Sequence, residues 1–149
     1  MKRKTIAMAI LALGLASAAT SSIAQAPDKP AAATTGTAHE LETRTSSAAG
    51  VTVKVTPKSV ASGATAWEFA VVLDTHSQAL DDDLVKSAVL VDSQGVRYAP
   101  LAWEGAAPGG HHREGVLRFK PLSTFPGAFE LHVSRPGEAG PRVFRWTRN

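Results

Sequence analysis

Two short segments carry the residue types that could do chemistry. The first is Asp74-Thr75-His76. In a strand, side chains alternate between faces, so Asp74 and His76 would project from the same face, two residues apart. A carboxylate and an imidazole at that spacing can share a divalent ion or a proton. The competing reading is structural: Asp74 closes a strand and caps a turn while His76 is solvated.

The second segment is Pro108-Gly109-Gly110-His111-His112-Arg113-Glu114-Gly115. Adjacent strand residues face opposite ways, so His111 and His112 chelate one ion only where the backbone bends. The glycines on both sides allow such a bend. Arg113 could hold an anion, or pair with Glu114 or a distant carboxylate. A polar hairpin loop with two solvated rings is the alternative.

The pattern predicts that His76 follows the second strand and that His111 and His112 precede the fifth. A two-sheet fold could therefore bring both loops to one end. The expected metal ligands are the imidazoles of His76, His111 and His112 and the carboxylate of Asp74, with Arg113 supporting them from behind. His132, on the outward face of the sixth strand, would join only in a favourable register. The chain has no cysteine, and its two methionines are Met1 and Met8. A site without sulfur suits Cu(II), Zn(II) or Ni(II) rather than Cu(I), and Cu(II) or Zn(II) is the expected ion.

Two further clusters carry less. Asp81-Asp82-Asp83 lacks the alternation and glycine of a calcium loop and reads as a solvated helix N-terminus. Trp103-Glu104, with Tyr98 upstream, reads as rim packing rather than the wall of a pocket. A hydrolytic site would need Glu104, Asp74 and His76 to converge in a cleft. The sequence contains no G-x-S-x-G elbow, phosphate loop, dinucleotide glycine pattern or H-E-x-x-H. The expectation is a binding protein rather than an enzyme.

The elements that must position these residues begin at Gly50, where apolar and polar residues alternate with period two. Val51, Val53 and Val55 form one inward row, ended by Pro57, and Trp67, Phe69, Val71 and Leu73 form the next. Further strands are expected over 87–91, 96–103, 116–120, 129–133 and 143–146. Leu117, Phe119, Leu131, Phe144 and Trp146 should point inward. Asp92-Ser93-Gln94-Gly95 reads as a turn with positive φ at the glycine. The one helical candidate is Asp82–Ser87. About seven short strands predict an all-β, immunoglobulin-like β-sandwich over residues 50–149, with a small β-barrel as the alternative.

The chain of 149 residues has the length of one domain with leading segments. Lys2, Arg3 and Lys4 precede the apolar run Ile6–Ala19, which is too short to span a bilayer. Small residues follow, so residues 1–24 read as a secretory signal peptide. Cleavage after Ala24 is favoured, because cleavage after Ala26 would leave Pro27 beside the scissile bond. The expected location is periplasmic or secreted, with no membrane span after cleavage. Residues 25–49 are rich in Ala, Thr, Ser and Pro, contain no aromatic residue, and read as a flexible linker.

Removing the three N-terminal cations from 16 Lys and Arg leaves 13 against 13 Asp and Glu. With a formally neutral mature chain, a nucleic-acid partner loses its main electrostatic argument. Residues 50–92 carry 3 positive and 6 negative side chains, whereas 93–149 carry 8 and 4. Opposed patches of this kind could orient a protein partner, so a periplasmic interaction or assembly module without metal is the second functional reading.

The pattern Trp67-Glu68-Phe69, Leu73-Asp74-Thr75-His76-Ser77, Leu80-Asp81 and Asp83-Leu84 resembles a family of bacterial exported β-sandwich domains. The resemblance continues through Asp92, Gly95, Tyr98, Pro100-Leu101 and Trp103-Glu104-Gly105. It ends with Pro108-Gly109-Gly110-His111-His112-Arg113, Gly115-Val116-Leu117, Phe119 and Val143-Phe144-Arg145-Trp146. It covers nearly all of residues 51–146, implies a small exported β-domain, and adds no chemistry. In architecture and location alone the chain is also similar to periplasmic copper-resistance β-sandwiches. It departs from them because neither cleavage site leaves a histidine as the first mature residue.

Overall fold

Alternating apolar residues bury one face of each of the longer strands, and two such faces pressed together exclude water from both. A computed structural model describes residues 41–122 and 126–147. The expected signal peptide, its cleavage site and residues 25–40 of the expected linker lie outside the described residues.

The first sheet contains β1 (Arg44–Ala48), β2 (Val51–Ser59), β3 (Trp67–Thr75), β7 (His112–Phe119) and β6 (Ala102–Gly105), in the order β1-β2-β3-β7-β6. The second contains β5 (Arg97–Tyr98), β4 (Ala88–Asp92), β8 (Ala128–Val133) and β9 (Arg142–Thr147), in the order β5-β4-β8-β9. Every pairing is antiparallel. One short helix, α1 (Leu84–Ser87), carries the chain from the first sheet to the second. Asp83 caps it, its side chain accepting from the Val85 and Lys86 amides.

The sheets remain separate rather than closing on one another, so the fold is the expected β-sandwich and not a barrel. Its core joins both sheets. Phe69 of β3 lies 6.0 Å from Phe129 of β8 and 5.9 Å from Trp146 of β9, ring centre to ring centre. All the residues expected to point inward are buried. Burying each large apolar side chain contributes about 2 kcal/mol, so packing can hold the fold without disulfides.

Several element bounds differ from expectation. Residues 44–48, within the expected linker, form the edge strand β1, whose five residues pair with Val51–Val55. The β2 strand continues past Pro57, with an irregularity between Pro57 and Ser59. Proline is tolerated there because β1 pairing stops at Val55, so no neighbour on that side needs its missing N–H. The expected strand 96–103 is two strands in different sheets, parted at Ala99-Pro100-Leu101. The turn after Asp92 is as expected: Gly95 has φ 81°, and the Asp92 carboxylate accepts from the Gln94 and Val96 amides and the Tyr98 hydroxyl.

Candidate functional site at the loop end

Antiparallel pairing of β3 with β7 sets the end of one beside the start of the other. Asp74 stands opposite His112, and the Thr75 amide donates to the His111 carbonyl at 2.9 Å. The two histidine-bearing segments, some 35 residues apart in the chain, are therefore neighbours.

The backbone around them is pinned from several sides. Thr75 is buried, and its hydroxyl donates to the Gly50 carbonyl at 2.8 Å. The same oxygen accepts from the Ser77 and Gln78 amides at 3.2 and 3.1 Å, turning the chain through His76. Gly109 and Gly110 supply positive φ values of 116° and 71°, and the Gly109 amide donates to the Leu80 carbonyl. His76 and His111 consequently line one open pocket of about 450 Å³, together with Ser77, Gln78, Ala79 and Gly110.

His112 takes the other direction. It is the first residue of β7 and lies on the outer face of the five-stranded sheet. Its Nδ1 stands 2.5 Å from Asp74 Oδ1, and its Nε2 stands 3.6 Å from Glu114 Oε2. Lys54 Nζ approaches the second Asp74 oxygen at 3.4 Å. The hydrogen bond with Asp74 raises the His112 pKa above its usual value, helped by the negative charges of Asp74 and Glu114. The same bond lowers the Asp74 pKa against a smaller effect of burial, and Lys54 adds to the lowering.

The four expected ligands thus fall into two pairs, His76 with His111 in the loop pocket and Asp74 with His112 on the sheet face. Among the described residues, no three His, Asp or Glu side chains come together as a metal-binding group. His132 lies on the other sheet, half-buried, with Nε2 2.7 Å from Glu130 Oε2. Glu104 is held by Arg118 at 2.9 Å.

Arg113 is neither an anion holder nor a partner of Glu114. Alternation turns it inward, where it is 1% exposed. Its Nη1 donates to the Leu80 and Asp82 carbonyls, both at 2.8 Å, its Nη2 to Ala106, and its guanidinium lies 5.7 Å from the centre of the Trp103 ring. It fixes the backbone that follows the pocket. Trp103 packs at the rim of the core, as expected.

A second buried arginine corrects the reading of the three aspartates. Asp83 is an exposed cap and Asp81 is exposed, but Asp82 is buried and forms a bidentate pair with Arg135. Part of the positive charge of residues 93–149 is internal or paired. Arg113, Arg135 and Arg142 are buried, while Arg118 and Arg145 are paired with glutamates. Arg97, Lys120 and Arg145 remain exposed on that part of the chain.

Sequence reasoning missed Glu114 and Lys54 as neighbours of the His112–Asp74 pair. The signal for Glu114 was available: His112 and Glu114 are two residues apart, hence on one face once β7 begins at His112.

Comparison with protein-family models, curated proteins and solved structures finds no match.

Proposed function

We propose that the protein is exported to the periplasm or beyond. There it serves as a non-enzymatic binding protein that takes Cu(II) or Zn(II) at the pocket lined by His76 and His111. One observation carries the reading: two loops distant in sequence meet, and each contributes a histidine to the lining of the same open pocket. Neutral imidazoles suit both ions, and an open pocket leaves the remaining coordination positions to water. Thr75 and Arg113 brace the flanking backbone, so little ordering is needed when an ion arrives. The basic start, the short apolar run and the likeness to exported bacterial β-domains support export.

The test is calorimetric titration of the full-length chain with Cu(II) and with Zn(II), repeated on a His76→Ala/His111→Ala variant. The double variant should lose the binding heat of the loop pocket while its unfolding curve stays close to that of the parent. Heats that are the same in parent and variant would remove the assignment.

A further inference from the structure

The outer face of the five-stranded sheet carries a His–Glu pair that the loop pocket does not use. Strand alternation places His112 and Glu114 side by side on β7, their side chains 56% and 71% exposed. Asp74 Oδ1 engages the Nδ1 of His112 at 2.5 Å, so in the neutral ring Nδ1 carries the proton and Nε2 presents its lone pair toward Glu114. The 3.6 Å between Nε2 and Glu114 Oε2 is too long for a hydrogen bond. Two donors about 2.0–2.1 Å from one tetrahedral zinc stand about 3.3–3.4 Å apart, so the gap is close to the span of a bound ion.

From this arrangement we infer that His112 Nε2 and the Glu114 carboxylate are the protein donors of a second, water-completed site for a divalent transition ion, with Asp74 behind the imidazole and outside the coordination shell. A carboxylate hydrogen-bonded to the far nitrogen of a ligating histidine fixes the ring's tautomer and orientation and raises its basicity. Lys54, on the other oxygen of Asp74, holds that carboxylate in place and neutralises part of its charge. Exposure on one side leaves room for water in the remaining positions. The inference does not depend on the loop pocket and reassigns Asp74 and His112 away from it.

Zinc chloride added to the full-length, 15N-labelled chain above neutral pH tests the site, with each histidine ring read separately by long-range proton–nitrogen correlation. The His112 Nε2 resonance should move on titration while Nδ1 stays protonated. Asp74→Asn should weaken that response by about tenfold, Glu114→Gln, which removes a donor, should weaken it further, and His76→Ala/His111→Ala should leave it unchanged. Glu114→Gln decides the matter, because it sits at an exposed position and a native amide spectrum will confirm its fold. An unmoved His112 ring, an equal response in Glu114→Gln, or a response lost with the loop double variant would each overturn the site. Movement of His76 and His111 alone would overturn it and leave the loop-pocket reading standing, whereas movement of His112 alone would do the reverse.

Discussion

Beneath His76 a threonine hydroxyl, shielded from solvent, serves three backbone groups at once. Thr75 donates to Gly50 and accepts from Ser77 and Gln78, joining the β1–β2 turn to the pocket segment. Thr75→Val keeps the shape but leaves those groups without their partner, at a cost of about 1–3 kcal/mol. Urea unfolding should place the variant below both the parent and Thr75→Ser, and Val equal to Ser would refute the hydrogen-bond account. The inward direction of Thr75 was legible from alternation, but its partner 25 residues away was not. Arg113 shows a related limit. Its position is inward by the same alternation, yet arginine is rarely buried unless paired, and the two carbonyls that accept from its Nη1 belong to a loop 31 to 33 residues earlier.

At the scale of elements, β6 and β7 touch through two glycines. Gly105 stands opposite Gly115, and the Trp103 ring lies over the pair. A Cβ on Gly115 would meet Gly105 Cα at 2.5 Å and a Trp103 ring carbon at 2.7 Å. Gly115→Ala should therefore lower stability by about 1–3 kcal/mol through overpacking. Circular dichroism in a denaturant series checks this, and a neutral effect would mean that β6 can move away freely. The strands with strong apolar alternation were readable. The start of β7 was not, because Pro108-Gly109-Gly110 and two histidines look like loop until β3 supplies a partner. Strand β1 was hidden for the opposite reason: Arg-Thr-Ser-Ser-Ala has no apolar row, and only pairing with β2 and side chains from β9 make it a strand.

Across the whole molecule, a buried ionic chain joins the sheets. Asp82 pairs with Arg135, Arg135 approaches Glu138, and Glu138 chelates Arg142. Arg142 then donates to the carbonyls of Ser46, Ala48 and Val51. The Arg142 hydrogen bond lowers the Glu138 pKa, outweighing burial, and the charges of Arg142 and Arg135 add to it. A carboxylate whose pKa is lower folded than unfolded contributes stability above its ordinary value of 4.5. That contribution is lost as the pH falls through the lower, folded value. Unfolding midpoints of the parent should therefore drop across the acid range more steeply than those of Glu138→Gln, the gap between them narrowing as the pH falls. Parallel curves would show that Glu138 does not titrate as the chain of contacts requires. None of this was legible from composition, which counted these arginines as surface charge.

The grip of Arg142 and Trp146 on the segment Glu42–Val51 spans 91 to 104 residues of sequence. A polypeptide made or threaded from its amino end would have to present β1 and wait. Until residues 142–146 emerge, that short polar strand has β2 beside it but nothing to lock its carbonyls. Late closure of this kind would hold back the final locking of β1 until β9 has been made, leaving that edge of the first sheet pliable while the strands between them are laid down.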